Sequence, residues 1–366
     1  MSDLVAPAIL VVGAGIVGRC VAWYLARTGA AVTVVERDSD GDSLTSRASL
    51  GVLTRPFGGS DPLSTFYRDS HHLHETVAAE LMRETALDVG WRRLGGVDVA
   101  FDADDKQRLH QKLEVHRRWG CRAKWVDCDV LRRHEPSIHS GALGGAWYED
   151  DCRVDPVLLG RALRRAAEAR GACFSFASSV LAISESSDVR VELDIQEERI
   201  DRHFDFAVIA AGAWSSALAQ DFGVELAVRS VPGQSCHTGS AAIRSIVRYD
   251  GLHLLPTAEG AMCGGTVEEE SYDAQIRVSS QRRLHRFCQR VLVETPSLTD
   301  FRVGLRPKPR RGRPVIGPLQ LGSQVFVATG HYKNGVLMGP LTGQVLARWI
   351  HNGDPGREMS IFAVER

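Results

Sequence analysis

The 366-residue sequence has no CxxC pair, no internal repeat, no low-complexity tract and no apolar run approaching the roughly 18 residues of a membrane span. Each absence removes a class of protein. Its eight cysteines (Cys20, Cys121, Cys128, Cys152, Cys173, Cys236, Cys263 and Cys288) are scattered, and MSDLVAP ahead of Ala8 has neither a basic stretch nor a cleavage pattern. The expectation is therefore a soluble, cytoplasmic protein with reduced thiols, no secretory leader and no disulfide framework. A formal net charge of −1 gives no electrostatic reason to bind nucleic acid or an anionic membrane. The basic cluster Arg302, Arg306, Lys308, Arg310, Arg311 and Arg313 lacks the interleaved aromatics of a nucleic-acid surface. Metal ligation is not expected either. HHLH at His71–His74 sits in a helix-like segment, 62–88, with no cysteine or second histidine cluster at matching spacing, and reads as a solvated helix face.

What is present is ordinary globular composition, 44% apolar and 24% charged, in a chain long enough for two lobes. The informative pattern comes first. Ala8–Val12 is a continuous apolar run, as in a buried parallel strand. It enters Gly13-Ala-Gly15-Ile16-Val17-Gly18, followed by an apolar-periodic helix that Gly29 ends and a second strand, Val32–Glu36. Gly13 makes the tight turn, Gly15 admits backbone to a pyrophosphate, and Gly18 lets helix and strand close up. The helix N-terminus offers N–H groups and partial positive charge to phosphates. Glu36 stands where a carboxylate accepts from the ribose hydroxyls. Strand, glycines, helix and carboxylate in register predict dinucleotide binding.

Two later runs, Phe204–Gly212 and Val325–Gly330, are apolar strands ending in small residues that can press against such a ligand, and no second GxGxxG offers a separate nicotinamide site. TGHYKNGVLMGP, Thr329–Pro340, then places Gly330, His331, Tyr332, Lys333, Asn334 and Gly335 between a strand-like run and a helix-like one over 335–350. Pro340 falls within that helix's first two turns. Asp155 and Pro156 read as N-cap and first residue of another helix, which Gly171 ends.

VVGAGIVG (11–18), VVERD (34–38), TSRASLGVL (45–53), RVDP (153–156), VIAAGAWS (208–215), GLRP (304–307) and GHYKNGVLMGP (330–340), in this order, resemble the D-amino-acid-oxidase superfamily of FAD-dependent oxidoreductases, and most of all glycine oxidase and its relatives. The resemblance implies non-covalent FAD. It implies Ile16, Val17, Glu36 and Arg37 at the adenosine and phosphates, Val180 at the adenine, and Thr45, Ser46, Leu50, Gly51 and Val52 along the flavin and ribityl tail. It also implies that the 330–337 loop, including Val336 and Leu337, closes over the ring, with Gly212 among the cofactor-binding residues. Backbone N–H groups and the helix N-terminus would stabilise the reduced flavin there. The GLRP arginine, Arg306, would clamp a substrate carboxylate, with Lys333 and His253 beside it. This chain departs from glycine oxidases at two places: His253 stands where they carry tyrosine, and Lys333 where they carry arginine.

The reaction implied is oxidative deamination of a small carboxylate-bearing amine by hydride transfer to flavin N5, with O2 reduced to H2O2. The alternatives are a dehydrogenase handing electrons to a quinone or partner subunit, as relatives in cyanide-synthase complexes do, or a flavin-holding subunit without turnover. Relatives commonly form homo-oligomers. The fold expected is α/β: a Rossmann-type FAD lobe (1–88, 150–222, 318–366) interleaved with a substrate lobe (89–149, 223–317) on a mostly antiparallel sheet.

Overall fold

In the computed structural model of the chain the described residues are 6–39, 41–54, 59–239, 241–257 and 260–365. Ala8–Val12 lies in the middle of a six-stranded sheet, parallel to Ala31–Val35 on one side and Phe206–Ile209 on the other. Leu10 and Val11 are fully buried, which is why this strand reads as an unbroken apolar run. Cys173–Ser175 continues the sheet in parallel on one edge, and Val325–Thr329 on the other. The outermost strand, Val315–Pro318, is antiparallel.

Four helices cover one face of this sheet region, and small residues set how closely they approach. The helix Ile16–Ala26 leans on the glycine loop, since a Cβ at Gly18 would fall 1.9 Å from the Gly13 carbonyl oxygen. The C-terminal helix Gly335–Asn352 crosses it at Gly343, where a Cβ would meet the Cys20 backbone at 2.6 Å. Pro340 lies inside that helix, within its second turn. Pro156–Glu168 begins as expected: Asp155 accepts from the N–H groups of Val157 and Leu158, with Pro156 in the first turn. Gly171 follows at φ 90°.

The fourth helix, Pro62–Thr85, overturns one reading. HHLH is not a solvated face: His71 and His74 are buried, and only His72 is exposed. His74 Nε2 lies 3.1 and 3.0 Å from the Val336 and Leu337 carbonyl oxygens, so the helix packs its histidine against the start of the C-terminal helix. The 3.6-residue period places 71 and 74 on one face; their polarity concealed that this face points inward.

An eight-stranded sheet forms a second layer, in the order Leu298–Pro309, Val228–Thr238, Gly260–Gly264, Leu252–Thr257, Ile246–Tyr249, Gly96–Ala100, Gly144–Tyr148, Ala123–Asp127. It is a mixed sheet, not a purely antiparallel one: six of its seven strand pairings are antiparallel, and Ile246–Tyr249 runs parallel to Gly96–Ala100. Hairpins force antiparallel neighbours, but these two strands are joined by a long stretch of chain that leaves direction free. Its own apolar cluster includes Val97, Val99, Cys236, Leu254, Cys263 and Phe287. A three-stranded antiparallel sheet, Ser178–Glu185, Val189–Ile195 and Glu198–Phe204, completes the edge near the first layer. Among the described residues no helix is long and apolar enough to cross a membrane, and no group of three or more His, Cys, Asp or Glu is placed to hold a metal.

Candidate active site

A cavity of about 970 Å³ opens at the C-terminal ends of the parallel strands. Its floor is Gly13, Gly15, Ile16 and Val17. Gly13 sits at φ +102°, and a Cβ there would collide with Ala210 O at 2.7 Å; the turn requires glycine. Gly15 caps the first helix without any side-chain hydrogen bond, leaving the helix's first N–H groups to the cavity. Glu36 accepts from the N–H groups of Ala14 at 2.7 Å and Asp38 at 3.2 Å, which ties the ends of the neighbouring strands Ala8–Val12 and Ala31–Val35 together at the cavity wall.

Further along, Arg37 stacks over Trp214, its guanidinium carbon 3.7 Å from the ring centroid. Val180, Gly212, Thr45, Ser46, His331, Tyr332 and Gly335 also line the space. Thr45 binds both ways to one residue, donating to Leu305 O at 3.0 Å and accepting from Leu305 N at 3.2 Å. The short helix Leu44–Arg47 reaches that strand because Gly304 has no side chain: a Cβ there would be 3.2 Å from Thr45 Cα.

Arg306 lies between two cavity-lining residues, Leu305 and Pro307, on the opposite face of their strand. Its half-buried guanidinium lies across Gly233, where a Cβ would come within 1.8 Å of Nη1, and Nη1 donates to Thr266 O at 2.8 Å. Among the described residues it forms no ion pair, and burial lowers its pKa, against the opposing pull of Tyr332 and Glu268. His253 flanks the same turn, its Nδ1 3.1 Å from where a Cβ on Gly265 would sit. Burial, with Arg248 adding to it, pushes the imidazole down to about 3, so it is neutral at physiological pH. Behind it Arg248 bridges Asp98 and Asp151, and Lys112 Nζ stands 2.6 Å from Asp98. Burial alone would raise the Asp98 carboxyl, but Arg248 and Lys112 hold it down at about 2.

The loop ahead of the C-terminal helix divides its residues between roles. Gly330 turns at φ +77° against Pro309 and Pro314. His331 Nε2 pairs with Thr342 Oγ1 at 3.0 Å, and burial pushes it down to about 4. Tyr332 holds φ +50°, a strained value for a side chain of that size. Lys333 is exposed and, among the described residues, forms no ion pair; burial of part of its side chain and the nearby Arg306 lower its pKa. Asn334 donates to the Tyr67 hydroxyl at 3.0 Å, and the Val336 and Leu337 side chains are buried.

Gly13, Gly15, Ile16, Val17, Glu36, Arg37, Thr45, Ser46, Val180, Gly212, His331, Tyr332 and Gly335 are thus brought to one cavity. Gly18, Leu50, Gly51, Val52, Gly330, Lys333, Asn334, Val336, Leu337, Arg306 and His253 are not part of its lining. Gly51, for example, is pressed against Val154 O and carries backbone rather than cavity surface. Two lining aromatics were missed: Trp214 gave its signal within VIAAGAWS, whereas Tyr272 lies in a polar stretch with no motif.

The FAD dependent oxidoreductase (DAO) family matches residues 8–349. The chain belongs to that family, and FAD is its cofactor. The residues present fit the group. A Cβ at Gly15 would have only Ser43 Oγ nearby, at 3.8 Å, so the backbone is open to a diphosphate beside an uncapped helix end, with the Glu36 carboxylate on the same wall. This flavoprotein is 28% identical to glycine oxidase of Bacillus licheniformis over 93% of its own length and 92% of the relative's. It is 27% identical to glycine oxidase of Geobacillus kaustophilus (strain HTA426), over 98% and 96%. The crystal structure of glycine oxidase from Geobacillus kaustophilus superimposes with a TM-score of 0.91 over 99% of both chains at 24% identity.

Proposed function

We propose that this flavoprotein oxidises a small carboxylate-bearing amine, an amino or imino acid, to an imine that hydrolyses to the oxo acid and free amine or ammonia. The observation that carries the proposal is Arg306: a half-buried guanidinium with one nitrogen fixed on Thr266 O and no ion pair among the described residues. Burying an uncompensated cation is costly, so an anion supplied from outside is the natural counter-charge. A guanidinium receives a carboxylate bidentately and thereby fixes the position of the α-carbon.

The residues around it divide the remaining work. Lys333 adds positive charge at the same end without a planar fork. His253, neutral above about pH 3, offers a hydrogen bond without a second cation. The parallel layer with its glycine turn is read as a Rossmann-type FAD lobe, made of 1–88, 150–222 and 318–366, and 89–149 with 223–317 as the substrate lobe. Leu50, Gly51 and Val52 support the cofactor through backbone; the 330–337 loop covers its reactive end. FAD, when bound, supplies the hydride acceptor, and its reoxidation by O2 yields H2O2.

Arg306→Ala tests the reading. It should lower kcat/KM by about 30- to 1000-fold, roughly 2–4 kcal/mol, while FAD stays bound. The assay is anaerobic bleaching of the flavin by a panel of amino and imino acids, followed by peroxide yield per substrate. Unchanged turnover in Arg306→Ala removes the clamp, and peroxide yield near zero with rapid dye reduction assigns a dehydrogenase instead.

A further inference from the structure

Residues 265–277 leave the eight-stranded sheet after Gly264 and return to it through the helix Val278–Val291. The two ends of this segment are well tied. Glu268 N–H donates to Pro232 O at 3.1 Å, Ser271 N–H donates to Ser230 O at 3.0 Å, and the Glu268 carboxylate takes Gln234, Ser280 and Arg277. Its middle is different. Residues 272–276 are exposed, and among the described residues one hydrogen bond joins them to chain outside the segment: the Tyr272 hydroxyl donates to Ala213 O at 3.1 Å.

That single bond crosses the FAD cavity's rim. Tyr272 and Ala274 both line the cavity, as do Glu36 and Arg37. Tyr272 stands 6.0 Å from Trp214, centroid to centroid, and Trp214 in turn carries the Arg37 guanidinium. Three segments far apart in sequence thus form one continuous layer along the cavity wall. The tyrosine is 54% exposed, so burial does not explain its order. An exposed loop centre held by one bond opens at a small fraction of the global unfolding free energy.

We propose that Tyr272 is a latch over the FAD cleft, and that opening of the 272–276 stretch, by release of the Ala213 bond, sets the rate at which cofactor leaves and enters. The inference rests on FAD binding by the family and not on the amine-oxidation reading, so either can fall alone. The test uses the holoprotein. FAD release is followed by the rise of flavin fluorescence after dilution, in wild type, Tyr272→Ala and Tyr272→Phe. Tyr272→Ala, which loses ring and hydroxyl, should release FAD about tenfold faster or more; Tyr272→Phe, which loses only the bond to Ala213, should release it several-fold faster. Tryptic cleavage after Arg277 is a second readout: saturating FAD should slow it in wild type and much less in Tyr272→Ala. A release rate equal to wild type in either variant overturns the proposal, as does cleavage that FAD leaves unchanged.

Discussion

At the scale of single residues, the proposed substrate reading rests on groups whose ordinary partners are missing. Arg306 forms no ion pair among the described residues, with Glu268 acting on it only at a distance, and His253 is held neutral by its surroundings. Arg306→Lys should recover little of the activity lost in Arg306→Ala, because a point charge cannot reproduce a two-pronged contact; kcat/KM of the two variants side by side checks this. A histidine titrating near its usual 6.5 would put an acidic limb on the rate profile, whereas one pushed down to about 3 is already neutral across the working range. His253→Asn should therefore change kcat/KM without moving the acidic limb of its pH profile. A limb near pH 6.5 that disappears in the variant would contradict that assignment.

Secondary-structure elements meet here through glycines, and these contacts leave no slack. Gly18 against Gly13 and Gly343 against Cys20 let two helices and a strand converge below the cavity. Gly343→Val should destabilise the protein by about 1–3 kcal/mol through overpacking, read as a lowered denaturation midpoint, even though position 343 is not part of the cavity lining. Much at this scale was legible: the strand Ala8–Val12, the Asp155–Pro156 helix start and the C-terminal helix from Gly335 occur where patterning and capping residues placed them. HHLH was not legible. Side-chain polarity marks a solvated face only if no neighbouring helix end offers carbonyls, and Val336 and Leu337 offer them across 262 and 263 residues of sequence.

For the whole molecule, the buried histidines predict how stability follows pH. His74 and His331 are both pushed down to about 4 by burial, below the 6.5 of an exposed imidazole. Between those values the unfolded chain binds protons that the folded chain does not, so stability is full above about pH 6.5 and declines as pH falls toward 4. Melting temperature measured from pH 7 to 5 should fall, and His74→Gln should flatten the decline. Removing FAD should lower the melting temperature at every pH in that range, since a ligand bound only by the folded state adds stability by mass action.

Sequence alone determined the features that depend on neighbours along the chain: the glycine turn, its helix, the carboxylate closing the second strand and the small residues where backbone must approach a ligand. Spacing of a few residues controls these, and spacing is written in the order of residues. Tertiary structure decided what depends on meeting across hundreds of residues. It brought Arg37, Trp214 and Tyr272 into one layer, set Arg306 on Thr266, turned His74 inward and ran one pair of strands parallel in the larger sheet. Such contacts form between surfaces that exist only once sheets and helices have packed, and no local period encodes them.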